Sequence, residues 1–377
     1  MSILFWASLA FLIYTFAGYP LALWMLSLFR NRSHTKAPTE ATISLIVAAY
    51  NEASIIASKI QNCLDLRYPA EKREIIVASD GSTDETASIV RSFARQDVRL
   101  VEFPERRGKH HAQMVARDAS HGEILVFSDS SIGLKPDALQ EIVANFADPS
   151  VGCVSSEDSV VADPRRRLGE GSYIAYEMWL RRLESRVGAL VGVSGSFFAA
   201  RRELCREWHP GQSSDFFIPL HAAACGLRTV VDPQCVAFYG LTRSERAEFQ
   251  RKVRTIVHGL EVLFTHAKLL NPIRYPMFSW QLASHKLFRW LAPVAALALL
   301  VSSGALWSAS PVYRAALLLQ AGLYAAGSLA LIAGSLNRLS TFRLASFFVL
   351  GNAATLVAWW KFSTGEKFIA WEPTRRR

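Results

Sequence analysis

Three short polar clusters in this sequence each follow an apolar run directly. They are Tyr50-Asn51-Glu52, the segment Asp80-Gly-Ser-Thr-Asp84-Glu-Thr86, and Asp129-Ser-Ser131. Carboxylates can hydrogen-bond a nucleoside, and one or two carboxylates with phosphate oxygens typically hold Mg²⁺. The middle cluster alone would also suit a plain turn followed by a helix N-cap. Three clusters that converge on one cleft would instead fit a nucleotide diphosphate sugar.

A basic segment, Arg106-Arg107-Gly108-Lys109, opens a helical stretch further along. A lysine at a helix N-terminus suits an anionic phosphate. The sequence has neither G-x-G-x-x-G after its first strand nor a G-x-x-x-x-G-K-[ST] segment, which disfavours a dinucleotide-binding Rossmann domain and a P-loop.

The elements that would position these clusters alternate along the chain. Apolar runs predict strands at 43–49, 74–79, 98–103 and 123–128, and amphipathic periodicity predicts helices at 52–66, 84–95, 109–119 and 136–146. This alternation predicts an α/β domain with a Rossmann-like, mostly parallel sheet. Ligands bind such sheets at the carboxyl ends of their strands, where the polar clusters occur.

Both ends of the chain are apolar. Residues 1–29, 290–313, 315–337 and 344–360 contain no Asp, Glu, Lys or Arg. A bilayer crossing needs roughly 20 such residues, which the last run barely provides. We therefore expect an anchor at 1–30, a cytosolic α/β domain at 41–240, basic interfacial helices at 241–289, about three transmembrane helices at 290–360, and a basic tail at 361–377.

Charge sets the expected topology. Arg30, Arg32 and Lys36 follow the first apolar run and place the next segment in the cytosol by the positive-inside rule. Four crossings would then leave the C-terminus outside, although Arg338 and Arg343 and the basic tail also favour the cytosol. The net charge of +10 is not gathered in a nucleic-acid module, so no nucleic-acid partner is expected. Anionic membrane lipids explain the basic stretch at 241–289 more simply.

Several of these segments resemble motifs of the family 2 glycosyltransferases with a GT-A fold. The resemblance is to the membrane-bound branch that makes exopolysaccharides, which includes the poly-N-acetylglucosamine, hyaluronan and cellulose synthases. The matching segments are SLIVAAYNE at 44–52, DGSTD at 80–84, Gly108-Lys109, VFSDSS at 126–131, GSFFAARR at 195–202, SDFFIPL at 214–220 and QRKVR at 250–254.

The resemblance implies an inverting enzyme that uses a nucleotide sugar, with UDP as the expected nucleotide and Mg²⁺ or Mn²⁺ as cofactor. It implies that Asp215 deprotonates the acceptor hydroxyl. Asp129 would bind the metal, and Arg251 and Arg254 would stabilise the leaving diphosphate. The residues implied to bind the nucleotide sugar are Tyr50, Glu52, Asp80, Lys109 and Asp129.

Two departures from the family pattern bear on the function. Ser131 stands at the second carboxylate of the family's DxD, and Thr255 replaces the tryptophan of its RxxRW motif. The first expectation is extension of a polysaccharide or glycan at the cytosolic face of the inner membrane, with export or assembly proteins as partners. The alternatives are transfer of one sugar to a lipid or polyprenyl-phosphate-linked acceptor, and a catalytically inactive scaffold.

Overall fold

The computed structural model describes residues 1–160, 172–209, 211–239 and 245–366 of the 377-residue chain. Within these ranges, strands assemble into one eight-stranded sheet in the order β3-β2-β1-β4-β7-β6-β8-β5. The strands are β1 Ile43–Ala49, β2 Arg73–Asp80, β3 Val98–Phe103, β4 Ile124–Asp129, β5 Gly133–Leu134, β6 Val151–Val160, β7 Phe197–Arg201 and β8 Arg228–Tyr239.

Helices cover both faces of this sheet and continue into the apolar ends of the chain. They are α1 Ser2–Phe29, α2 Ile56–Leu64, α3 Thr86–Ser92, α4 Lys109–Ala119, α5 Ala138–Ala144, α6 Ser172–Val187, α7 Ser214–Ala224, α8 Glu245–Thr265, α9 Pro276–Ala305, α10 Pro311–Ile332 and α11 Ser340–Ser363.

The sheet is mixed, although most of its strands point the same way. β1 pairs in parallel with β2 and β4, β2 pairs in parallel with β3, and β6 pairs in parallel with β8. β7 runs antiparallel between β4 and β6, and the short β5 runs antiparallel beside β8. The four N-terminal strands therefore end at one edge, as βαβ connections require.

The core lies on both sides of the central strands. β1 is buried at all seven positions. Leu45 and Val47 contribute to one hydrophobic cluster, and Ile46 and Phe127 contribute to the other. Successive strand side chains point to opposite faces, so a strand covered on both sides is apolar at nearly every position, and in β1 the exception is Ser44. Each fully buried aliphatic side chain contributes about 1.5–3 kcal/mol, which makes β1 a rigid base for the residues that follow it.

Within the part of the chain that the structure describes, four helices are long and apolar enough to cross a bilayer: α1, α9, α10 and α11. Their outward faces carry exposed apolar side chains, among them Phe29, Leu319 and Ile332. Together with the α/β sheet, these helices are the architecture of a membrane protein with an attached globular domain.

A buried polar cluster fixes the membrane helices to the globular domain. Tyr19 of α1 donates from its hydroxyl to Glu184 Oε1 of α6 at 2.5 Å. His285 Nδ1 of α9 lies 2.6 Å from the same oxygen. Arg289 of α9 pairs with Glu177 of α6. Three helices that are distant in sequence therefore meet at buried carboxylates, whose desolvation is offset only while these partners stay in place.

The α/β fold class predicted from the sequence is confirmed. The predicted strands at 43–49 and 98–103 and the helix at 109–119 have the bounds of β1, β3 and α4. The helix predicted at 52–66 begins at Ile56, because residues 51–53 form a turn at the sheet edge. The predicted run at 290–313 is interrupted, since α9 ends at Ala305 and α10 begins at Pro311. Arg243 and the tail residues 367–377 lie outside the described residues.

Candidate active site

The three polar clusters lie together at one edge of the sheet. β2, β1 and β4 are neighbours in that order, and their parallel pairing places Asp80, Tyr50 and Asp129 at or just beyond their carboxyl ends. The side-chain contacts around this edge connect the first cluster with each of the other two.

A network of hydrogen bonds joins the first two clusters. Asn51 adopts a positive φ of 51°, and its Oδ1 accepts from Thr83 N at 2.8 Å. Glu52 N donates to Thr86 Oγ1 at 2.8 Å, and Ala53 N donates to an Asp84 carboxylate oxygen at 3.1 Å. Asparagine tolerates this left-handed conformation better than most residues. The turn after β1 is therefore held by the turn after β2.

Asp80 is buried and binds backbone N–H groups. Arg107 N donates to its Oδ1 at 2.8 Å, and Gly108 N donates to its Oδ2 at 2.7 Å. The neighbouring Gly81 has φ of 65°, and a Cβ there would lie 2.7 Å from Arg106 N. Asp80 thus holds the loop before α4 against the sheet edge. Its predicted contact with a nucleoside stays a prediction.

Tyr50 and Glu52 lie between Asp80 and Asp129. The guanidinium carbon of Arg106 lies 3.9 Å from the centre of the Tyr50 ring, a cation–π arrangement. Ser130 Oγ donates to Glu52 Oε1 at 2.8 Å, which links the first cluster to the third. These contacts line the edge with a planar aromatic ring, a guanidinium group and a carboxylate.

Lys109 and Asp129 form an ion pair at the centre of the site. Lys109 Nζ contacts Asp129 Oδ1 and also donates to Gly195 O at 2.9 Å. The two side chains are 12% and 22% exposed, so the pair is accessible from the cleft without being fully solvated. Lys109 is the first residue of α4, and the loop that Asp80 holds positions it.

Asp215 approaches Gly195, the residue whose carbonyl oxygen accepts from Lys109. It lies in the first turn of α7, and Val193 N donates to its backbone O at 2.9 Å. A Cβ on Gly195 would lie 2.8 Å from Asp215 Oδ2, so only glycine allows this close approach. Gly195 therefore binds Lys109, the partner of Asp129, through its carbonyl oxygen and lies close to the Asp215 carboxylate.

Asp158, one of two adjacent carboxylates that the sequence left open between a contact with the donor sugar and a solvated loop, supports the site through hydrogen bonds. Its carboxylate accepts from Ser194 Oγ at 2.6 and 2.7 Å and from Ser196 Oγ at 2.9 Å. These bonds fix both sides of Gly195. The Ser-Gly-Ser sequence at 194–196 was the only available signal, because Asp158 comes from a distant strand.

His110 connects α4 with α7 and α8. Ser214 N, at the start of α7, donates to His110 Nδ1 at 3.3 Å. Burial holds the pKa of His110 well below its ordinary value, and the positive charges of Lys109 and Arg254 act in the same direction. Arg254 lies one turn before His258 on α8, and the ring centre of His258 lies 6.1 Å from that of His110. Arg251, one turn earlier on α8, donates to both carboxylate oxygens of Glu248 at 2.8 and 2.7 Å.

A divalent cation at this site would need oxygen ligands from the side chains at the sheet edge. Among the described residues, no group of three or more His, Cys, Asp or Glu side chains could hold a metal ion by itself. Asp129 is a single accessible carboxylate at the sheet edge. Mg²⁺ is commonly bound by one or two carboxylates with the remaining positions supplied by substrate phosphates and water. Asp129 therefore fits a cation that is held jointly with a phosphorylated ligand.

Comparisons with known proteins agree with this geometry. The model of the family described as Glycosyl transferase family 2 matches residues 44–208, which include Glu52, Asp80, Lys109 and Asp129. A poly-beta-1,6-N-acetyl-D-glucosamine synthase of Staphylococcus aureus is 25% identical over 247 residues, 63% of this chain. The Staphylococcus epidermidis synthase is 27% identical over 170 residues, 44% of this chain and 40% of the relative. The matched region spans 59% of the length of the S. aureus relative.

One solved structure matches nearly the whole chain. It is a mannosyltransferase from Pyrobaculum calidifontis in complex with GDP-Man and Mn²⁺, with a TM-score of 0.72 and 27% identity. The match covers 97% of this chain and 100% of that one. The similarity therefore extends over both the sheet and the apolar helices. The chain therefore carries a domain over residues 44–208 that matches the family 2 glycosyltransferases, and it has the GT-A fold.

Proposed function

We propose that this protein is an inverting glycosyltransferase that moves a sugar from a nucleoside diphosphate to a growing polysaccharide or glycan at the cytosolic membrane face. The observation that carries the proposal is the arrangement around Gly195. Lys109, which pairs with Asp129, donates to the carbonyl oxygen of this glycine, and the Asp215 carboxylate closely approaches the same residue. The proposed phosphate site and the proposed carboxylate base therefore both adjoin Gly195.

In this proposal Asp215 is the catalytic base. An acceptor hydroxyl attacks the anomeric carbon, its proton passes to the Asp215 carboxylate, and the bond from that carbon to the phosphate oxygen breaks. General base catalysis of this kind typically contributes about 10²–10⁴-fold. The position of Asp215 in the first turn of α7 keeps its carboxylate directed toward Gly195.

The leaving diphosphate gains negative charge as the bond breaks. Lys109 and the N-terminus of α4 are positioned to bind it, and Arg254 lies near them. We propose the same role for Arg251, which requires that it exchange its pairing with Glu248 for the diphosphate. Fixed positive groups aimed at developing charge lower the barrier without reorganising. A divalent cation, Mg²⁺ or Mn²⁺, held by Asp129 and the diphosphate would supply further neutralisation.

The donor is proposed to lie along the edge formed by Tyr50, Glu52 and Asp80. Tyr50 offers a ring face, Glu52 offers a carboxylate, and Asp80 maintains the loop through which the donor contacts α4. The family resemblance favours UDP. The Pyrobaculum relative holds GDP-Man, so a guanine nucleotide is an equal candidate.

A second candidate is transfer of one sugar to a lipid-linked acceptor. Thr255 in place of the tryptophan of the family's RxxRW motif removes a residue that processive members carry. We disfavour an inactive scaffold, because the ion pair of Lys109 with Asp129 and the approach of Asp215 to Gly195 support a catalytic arrangement.

The experiment that tests the proposal is incubation of the purified, lipid-reconstituted protein with radiolabelled UDP- and GDP-sugars. A lipid extract and a glycan fraction serve as acceptors. Label in high-molecular-weight glycan supports polysaccharide extension, whereas label in one organic-soluble species supports the second candidate. No transfer from any donor, with the fold intact, would contradict both.

A further inference from the structure

The last apolar helix, α11, is long enough to cross a bilayer, but its contacts place both of its ends on the catalytic side. We propose that α11 does not cross the membrane and instead lies in the lipid interface beside α8. Its partner is the lipid surface of the leaflet that faces the catalytic domain. The chain then has three crossings, made by α1, α9 and α10, which differs from the four expected from the sequence.

α8 belongs to the globular domain. Its position therefore gives the depth relative to the membrane with which α11 is compared. His258 Nδ1 lies 3.2 Å from Gly211 O, and its ring centre lies 6.1 Å from that of His110. Val262 and Leu263 are buried in the same cluster as the core of the sheet. A helix that packs against the catalytic core and carries Arg251 and Arg254 cannot lie within the hydrocarbon.

α11 runs alongside α8 in the same direction. From Lys252 to Phe264, α8 advances about 18 Å, and from Phe347 to Phe362, α11 advances about 22 Å, at 1.5 Å per residue. In order along both helices, Lys252 Nζ lies 4.5 Å from the centre of the Phe347 ring, Val253 and Val257 pack with Ala354 and Ala358, and the Phe264 and Phe362 rings stack at 5.3 Å. This extended contact keeps α11 at the level of α8.

The C-terminal end of α11 lies beside the middle of α9. Trp359 Nε1 donates to Trp290 O at 2.8 Å. Trp290 in turn packs on α8, since a Cβ on Gly259 would lie 2.8 Å from its ring. Trp290 follows His285 and Arg289, which bind the α6 carboxylates, so this part of α9 lies on the catalytic side.

The N-terminal end of α11 lies on that side as well. α9 leaves the catalytic side and α10 returns to it as a hairpin, with Gln320 Nε2 donating to Ala296 O at 2.7 Å between them. Near the end of α10, Gly327 packs so closely on α11 that a Cβ there would lie 2.6 Å from Ala345 O. A crossing helix that began there would end near the 306–310 turn and not beside Trp290.

The exposed residues of α11 suit an interfacial position. Leu344 is 50% exposed and Trp360 is 61% exposed, which is an apolar surface for lipid. Arg343 and Lys361 flank this surface and can reach lipid phosphates. Tryptophan and basic side chains are enriched at the membrane–water boundary. The positions of Arg338, Arg343 and Lys361 all then satisfy the positive-inside rule.

The test is a pair of reporter fusions to the full chain. Alkaline phosphatase or green fluorescent protein is fused after Arg377, and a matched pair is inserted in the 306–310 turn. We expect the two sites to report opposite sides, with fluorescence at the C-terminus and phosphatase activity in the turn. Four crossings would place both sites on the same side, and that result would overturn the proposal.

A cross-linking experiment gives a second result that does not depend on the reporters. Phe264→Cys with Phe362→Cys is made in a Cys225→Ser background and treated with a short bis-maleimide. Phe264→Cys with Trp307→Cys is the control pair. We expect linked peptides by mass spectrometry only for the first pair. Linkage of the control pair, or of neither pair in folded protein, would contradict the placement of α11.

Discussion

Asp129 is the residue through which the proposed metal dependence acts, because Ser131 cannot serve as a second carboxylate. We expect Asp129→Ala to remove divalent-cation dependence and to lower turnover by at least about 10²-fold, as losses of charge-stabilising groups do. Turnover is measured against cation concentration. Asp118→Ala, an exposed carboxylate that pairs with Arg117, is the control and keeps the parental dependence. Cation-dependent turnover that survives in Asp129→Ala would show that the ligand lies elsewhere.

Gly195 adjoins both the proposed base and the proposed phosphate site. The size of the residue at this position should therefore affect the catalytic rate directly. A methyl group in Gly195→Ala would lie 2.8 Å from Asp215 Oδ2 and must displace it. Misplacing a catalytic group by about 1 Å can cost about 10²-fold in rate. We expect kcat to fall by that order while the KM for donor changes little. Gly334→Ala, where a Cβ meets open space, is the control. Unchanged kcat in Gly195→Ala would remove Gly195 from the catalytic arrangement.

The residue types of the site were readable from the sequence, but some of their contacts were not. DGSTD and the Lys109 segment were identified by composition and resemblance. The bonds from Asp80 to Arg107 N and Gly108 N depend on how a loop 27 residues away folds back. The contacts of Asp158 could not be predicted for the same reason, since no local pattern connects it with Ser194 and Ser196.

At the scale of elements, the contact between α4 and α7 depends on a neutral imidazole. His110 accepts from Ser214 N, and burial holds its pKa well below the ordinary value of about 6.5. Below about pH 6.5 the unfolded chain takes up a proton that the native state excludes, so stability falls as pH falls toward the folded pKa. We expect melting temperature to decline from pH 7 to 5, and the decline to be smaller in His110→Gln.

The control for this effect is His121→Gln, because His121 is an exposed histidine in the loop that follows α4. It should keep the wild-type change in melting temperature with pH. An equal change in His110→Gln and in the wild type would mean that His110 does not couple proton binding to the packing of α4 on α7.

The observed bounds of helices and strands agree best with the predicted bounds where the hydrophobic periodicity of the sequence is strong and the element is evenly buried. β1 and α4 are examples. The insertion of β7 between β4 and β6 could not be predicted, because strand order is set by long-range pairing and not by local pattern. Apolar length identified α11 as membrane-associated, but length alone does not separate a crossing helix from one that packs along α8.

At the scale of the whole molecule, the membrane helices and the catalytic domain share one polar junction. Tyr19 of α1 and His285 of α9 meet at Glu184 of α6, and α8 joins the site to α11. Removing one partner of a buried charge typically costs about 3–5 kcal/mol, so these contacts resist separation.

The central proposal is glycosyl transfer with Asp215 as the base, and Asp215→Asn tests it most directly. The first measurement is turnover of the UDP- or GDP-sugar that proves to be the active donor. The second is binding of the corresponding nucleoside diphosphate to the same lipid-reconstituted protein. The amide cannot take the acceptor proton, so kcat should fall by about 10²–10⁴-fold while nucleotide affinity stays within a few-fold of the parent. Near-normal turnover in a folded Asp215→Asn protein would contradict the mechanism.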